Sequence, residues 1–252
     1  MSYSGPPKMY LNPTLILFLF LILILAAVNV AYFNSHIPIQ LAFFANFLCL
    51  YYLYTPVHEA AHNIAHKYKS INKLIGTVGA FIMGMNFQSY RLAHLYHHRR
   101  PNHKSLDPDA ILQSRSPIKL FPKLIFRLLY DHIFLLKQQA WKLKPKVFKE
   151  YLLALIFQVL LISSLILMGF SQEILLLWLL PATLSGMSLF LTFAYLVHHP
   201  HSKLGESKNI NNIVLRIIML GQSMHKIHHK NAAIPWYLYS KIDSKNTNHN
   251  FK

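Results

Sequence analysis

The chain alternates long apolar runs with short, strongly basic segments, and that alternation predicts its elements. Residues 14–33 contain no charged side chain, which matches the roughly 20 residues a helix needs to cross a bilayer. The run is too long for the about 7–15-residue core of a signal peptide, and only Lys8 precedes it. It reads as a retained membrane helix. Further uncharged or nearly uncharged runs cover residues 36–57, 151–172 and 174–197. The separators at 34–36 and 171–173 leave room only for tight hairpins. Residues 74–87 are apolar but too short to span, and read as interfacial or buried. The expected fold is an all-α integral membrane protein of about four transmembrane helices in two hairpins. Residues 1–239 form one domain, with a polar, disordered tail over 240–252.

Composition and charge agree with this pattern. Apolar residues make up 54% of the 252 positions and charged residues only 13%, with mean hydropathy +0.30. The net charge of +17 is unevenly placed. Of 25 Lys and Arg, one precedes the first run, sixteen lie between Lys67 and Lys149, and eight follow His198. The hairpin separators have none. Basic residues favour the cytoplasmic side, so both termini and the large middle segment are expected there, as a helical cap. No nucleic-acid-binding motif accompanies the positive charge, and no nucleic-acid partner is expected.

Three histidine clusters interrupt the apolar pattern: His58-Glu59-Ala60-Ala61-His62, His94-Leu95-Tyr96-His97-His98 and His225-Lys226-Ile227-His228-His229. Positions i, i+3 and i+4 share a helix face, so each cluster presents two or three imidazoles in one direction. Cys49 is the only cysteine, which excludes a disulfide within the chain and any thiolate cluster. Eight imidazoles exceed the four ligands usual for one zinc. Imidazole also suits iron and copper, so the set favours two metal ions, iron foremost. A competing reading takes residues 58–62 as the HExxH signature of a zinc protease with Glu59 as base, but it leaves both HxxHH clusters without a role. A metal-binding or transport protein is a further alternative, but it would need polar pathway residues inside the spans, and these contain almost none.

The arrangement resembles the membrane fatty acid desaturase and hydroxylase superfamily, built on three histidine boxes, over roughly residues 56–239. Arg91-Leu92-Ala93-His94-Leu95-Tyr96-His97-His98, with Asn102 and Asp107-Pro108-Asp109 after it, is similar to that family's second-box region. Tyr195-Leu196-Val197-His198-His199-Pro200-His201 is similar to its segment between boxes two and three. Gly221-Gln222 before the third box and Ile234-Pro235-Trp236-Tyr237 after it are similar to its C-terminal signature. The first box with Asn63 resembles cyanobacterial-type β-carotene ring hydroxylases; the Pro-Trp-Tyr ending occurs there and in bacterial acyl-lipid desaturases. Lys226, Lys230-Asn231-Ala232-Ala233 and Pro101 depart from the family pattern without removing a ligand.

The resemblance implies metal ligation by His58, His62, His94, His97, His98, His225, His228 and His229, and an extra ligand between boxes two and three. His198 fits that position best; His201 fits the desaturases and tilts the substrate toward a fatty-acyl chain. The implied activity is a non-haem di-iron oxidoreductase of a bacterial inner membrane, which uses dioxygen and external electrons to desaturate or hydroxylate fatty-acyl lipids. A β-carotene ring hydroxylase is the alternative. No flavin or cytochrome segment is fused to the chain, so the electron donor is expected to be separate, ferredoxin-like or a b-type cytochrome. The five lysines between Lys137 and Lys149 offer it, or anionic lipid, a basic face. Asp107 and Asp109 are candidates for orienting ligand imidazoles. Asn102 is expected to cap a helix or bind a metal-bound water, and Gln222 to face the site. The Tyr and Trp side chains near residues 51–54 and 236–237 are expected as interfacial anchors, and His103, His132 and His249 as surface histidines.

Overall fold

The computed structural model of the chain describes residues 9–114, 116–201 and 203–242, and every described element is helical apart from one isolated bridge between Asn209 and Met224. His249 and the tail from residue 243 onward lie outside the described residues. The first elements are α1 (Pro13–Phe33), α2 (Ile39–Ala61), α3 (Lys69–Ile82), α4 (Phe87–Arg99), α5 (Pro117–Lys137), the single turn α6 (Ala140–Leu143), α7 (Pro145–Leu167) and α8 (Ser171–Leu196). Two short helices follow, α9 (Ile213–Ile218) and α10 (His225–Lys230).

Three of these helices, α1, α7 and α8, are long and apolar enough to cross a membrane. The fourth expected span, α2, has the length, 23 residues, but not the apolarity. It carries Gln40, Asn46 and three tyrosines, and its last turns bury His58 and Glu59. It is the hairpin partner of α1, returning to the end where Asn12 meets Ala65, and it packs between α1, α3 and α8. The second hairpin turn falls at residues 168–170, slightly earlier than the polar separator, because Gly169 adopts φ +93° and ends α7; Ser171 already opens α8.

Several polar groups inside the bundle meet a backbone need. Pro181 in α8 has no N–H for the carbonyl four residues earlier. That carbonyl, of Leu177, accepts instead from Asn46 Nδ2 of α2 at 2.8 Å. Around it, α8 winds as π-helix over Ile174–Leu179, and again over Phe190–Leu196 just before His198. Thr183, Ser188 and Thr192 return their hydroxyls to carbonyls four residues earlier at 2.8 Å each, which keeps these donors out of lipid. Trp178 Nε1 donates to the Ile82 carbonyl at the end of α3.

The ends that carry chemistry are tied together. Asn86 caps α4 through Gln88 and Ser89 N–H, and its amide donates to the Tyr151 carbonyl of α7. Asn12 caps α1 while donating to the Ala65 carbonyl beyond α2. The start of α1, the ends of α2 and α8, and the start of α7 therefore meet at one end of the bundle. The helices α4, α5, α9 and α10 and their loops cover that end.

Candidate metal centre

Nine imidazoles converge at this end, in two groups. Ring nitrogens of His58, His62, His94, His98 and His228 all lie within 4.8 Å of one another, and so do those of His97, His198, His225 and His229. The HxxHH spacing explains the division. Neighbouring helical residues point about 100° apart, so the adjacent histidines of each motif separate. His98 joins His94 in the first group while His97 joins the second; His229 joins His225 in the second while His228 crosses to the first. Each triplet therefore serves both groups instead of presenting one face to one ion. The groups abut where the His98 and His229 rings stack, 4.2 Å between centroids.

The nitrogen contacts fit metal ligation. Nε2 of His62 and His94 are 2.7 Å apart, and those of His98 and His228 2.9 Å. In the second group, His198 Nε2 is 3.1 Å from His97 Nε2 and 3.2 Å from His225 Nε2. Ligands about 2.1 Å from a shared ion sit about 3.0–3.4 Å from each other, much the same spacing. The tautomers sharpen the point. His97 Nδ1 faces the Asp107 carboxylate at 2.9 Å, and His198 Nδ1 faces the Glu206 carbonyl at 3.0 Å. Both Nδ1 atoms must donate, so with both rings neutral both Nε2 atoms carry bare lone pairs, and these point at each other. A cation between them relieves that repulsion.

The electrostatics keep the lone pairs available. Burial, followed by the mutual repulsion of neighbouring imidazoles, holds His94, His98, His225, His228 and His229 well below the ordinary histidine pKa. Burial and His97 lower His198 to about 3. His97 moves the other way. Burial works against its charged form, but the Asp107 and Asp109 carboxylates outweigh that and raise it. Asp109 is in turn held 2.6 Å from the Arg127 guanidinium of α5, which also bonds Asp131. A buried ionic chain thus runs from α5 to a second-group histidine.

Other expected residues go elsewhere. His201 belongs to neither group; its Nδ1 lies 3.2 Å from Asn102 Oδ1. Asn102 neither caps a helix nor reaches the imidazoles. Its φ is +65°, its amide donates to the Lys203 and Glu206 carbonyls, and its N–H donates to Asp107. It joins the loop after box two to the loop that orients His198. Gln222 donates to Thr55 Oγ1. His66 continues the first-box row but pairs with the Tyr10 carbonyl. His132 is half-buried, and its Nδ1 contacts Tyr151 Oη at 3.1 Å.

Glu59 is engaged on the far side of α2. Its two oxygens accept from Thr14 Oγ1 at 2.5 Å and Trp236 N at 2.6 Å, and Trp236 Nε1 donates back to Thr14. The carboxylate clasps α1, α2 and the C-terminal segment, which removes the general base a zinc-protease reading requires. Trp236 is part of that clasp, not a free interfacial anchor.

Three contributors were not anticipated. Tyr239 Oη lies 2.9 Å from His228 Nδ1. Tyr54 stacks on His58 and Tyr90 on His94, with centroids 5.4 and 5.5 Å apart. The sequence did carry a sign of the last two: Tyr54, His58, His62 and Tyr90, His94, His98 repeat one i, i+4, i+8 row. Beneath these tyrosines is a mostly apolar cavity of about 370 Å³, bounded by His94 and His97, by the Arg127 ion pairs, and by Leu189, Phe190 and Phe193 of α8. A larger cavity of about 780 Å³ lies between the two hairpins and touches none of the imidazoles.

Three helices apolar enough to cross a membrane, capped by nine clustered imidazoles that could hold metal, suit a histidine-rich membrane protein. A family-level comparison matches the fatty acid desaturase family over residues 35–248, and the chain belongs to that family. Comparison with curated proteins and with solved structures gave no match.

Proposed function

We propose that the protein is a non-haem di-iron oxidoreductase that desaturates fatty-acyl lipid chains. The observation that carries this reading is the apolar cavity lying directly against His94 and His97, one imidazole from each group. His58, His62, His94, His98 and His228 would hold one iron, and His97, His198, His225 and His229 the other. When bound, the pair supplies the activation of dioxygen needed to take hydrogen from an unactivated C–H bond, chemistry no side chain provides.

The chain's own residues do the rest. Asp107 and the Glu206 carbonyl fix the tautomers of His97 and His198, and Tyr239 orients His228. Tyr54 and Tyr90 form the boundary between imidazoles and cavity, and so set how closely a chain carbon approaches. Placement of that carbon decides rate. The apolar walls exclude water from the reacting carbon.

The basic distribution supports a multi-pass orientation with the metal end cytoplasmic. Lys137, Lys142, Lys144, Lys146 and Lys149 are exposed on that end and suit an acidic electron donor, a ferredoxin or b-type cytochrome. Lipid analysis of a host expressing the protein with a working donor tests the reading. New unsaturated acyl chains support it. Hydroxylated carotenoids in a carotene-producing host, with acyl chains unchanged, replace it with the ring hydroxylase.

A further inference from the structure

A second depression adjoins the site. Between α3 and α7 runs a groove of about 460 Å³, lined by Phe81, Leu153, Ala154 and Phe157 along its length. Lys73, Gln88 and Glu150 close one end, joined by a 2.6 Å Lys73–Glu150 ion pair and a Gln88–Glu150 hydrogen bond. Met85 lines both this groove and the cavity under the imidazoles. It sits on the turn between α3 and α4, where Gly84 takes φ +71° and Met85 N–H bonds the Ala80 carbonyl. The backbone there is fixed. The wall between the two spaces is therefore a half-buried, unbranched thioether side chain, the most adaptable apolar filler available.

We propose that the acyl chain of a membrane glycerolipid reaches the cavity along the α3–α7 groove, with Met85 as the gate. This rests on the fatty-acyl reading above and adds the route and the carrier. The occupant follows from the surroundings. Leu153 and Phe157 are each 58% exposed on a helix apolar enough to cross a membrane, so the medium against the groove is hydrocarbon. A chain already in the bilayer moves into it without leaving an apolar environment. The polar cluster of Lys73, Gln88 and Glu150 marks the level at which a lipid's glycerol and headgroup stay in water.

The test uses the iron-loaded full chain in liposomes containing a phosphatidylglycerol with a diazirine midway along one acyl chain, with adducts mapped by mass spectrometry. A coenzyme A thioester of the same photoreactive chain is the second arm. In the wild type, lipid adducts are expected on Leu153 or Phe157 and on Leu189, Phe190 or Phe193. Met85→Trp keeps the groove adducts, loses cavity adducts at least tenfold, and retains its iron. Met85→Ala labels the cavity at least as well as wild type, which separates blockage from misfolding. Should Met85→Trp fail to fold, Ala154→Trp fills the groove from α7 and lowers cavity labelling equally. Wild-type cavity labelling in either folded Trp variant overturns the route, as does cavity labelling by the thioester alone. If no acyl probe labels the cavity at all, the fatty-acyl reading itself fails.

Discussion

Replacing Asp107 by Asn tests how the second imidazole group is built. Asp107 is 5% exposed and acceptor-only. Its Oδ1 faces His97 Nδ1 at 2.9 Å and also takes the Asp109 N–H at 2.9 Å; its Oδ2 takes the Asn102 N–H at 2.6 Å. An Asn has one acceptor oxygen and one NH2 group. With the NH2 turned to Asn102, two donors oppose each other, at a cost of about 1–3 kcal/mol. With the NH2 turned to His97, Nδ1 must accept, so the proton moves to Nε2 and the ligand lone pair is lost. Either way the second group weakens, by about 10–100-fold in metal affinity, or about 1.4–2.7 kcal/mol. The five imidazoles of the first group make no contact with Asp107. Iron titration of metal-free protein, with metal content measured by mass spectrometry, should therefore show one ion bound as in wild type and one weakened. Two ions bound at wild-type affinity by Asp107→Asn would refute the reasoning.

Other predictions follow from the same geometry. His198→Ala should lose the second ion while His201→Ala keeps both, measured by iron content; the opposite pattern would make His201 the ligand. Glu59→Ala should destabilise the protein by about 1–3 kcal/mol in thermal unfolding with iron content unchanged, since the buried Trp236 N–H and Thr14 hydroxyl then lose their acceptor; loss of iron from a normally stable variant would place Glu59 in the metal chemistry. A Cβ added at Gly186 would sit 2.5 Å from Leu128 Cδ2, and both residues line the cavity, so Gly186→Ala should push Leu128 inward and shift products toward shorter chains; an unchanged chain-length profile refutes that placement. The metal-free protein should lose stability as pH falls below about 6.5, because histidines lowered in the fold take up protons more readily when unfolded. Each such group contributes about 1.4 kcal/mol per pH unit below the unfolded pKa, with His97 opposing. Two net groups would therefore remove about 2.7 kcal/mol per unit, a large share of a typical total stability of about 5–15 kcal/mol. Denaturant unfolding at pH 5, 6 and 7 checks it, and a flat profile counts against the buried set.

The spans and the histidine boxes were legible because each is a local pattern: absence of charge over 20 or more residues, or imidazoles at helical spacing. The sharing of each HxxHH between two groups was not, since it depends on where α4 and α10 stand relative to each other. Tyr239 follows His228 by eleven residues across a turn, a spacing with no periodic meaning. The Arg127–Asp109–His97 chain links α5 to α4 through a loop, and nothing around Arg127 in sequence distinguishes it from its exposed lysine neighbours. α2 is less apolar than its freedom from Lys and Arg suggested, because Asn46 is needed to satisfy a carbonyl freed by Pro181 in α8. The paired Tyr-x3-His-x3-His rows were visible in the chain, but Tyr54 was read as an interfacial anchor and Tyr90 was given no role.

In the proposed function these nine imidazoles hold two irons. Metal analysis of the purified, active protein tests it most directly. Two irons per chain are expected, with activity lost and regained as both are removed and restored. One ion per chain at full activity, or zinc supporting turnover, would contradict it.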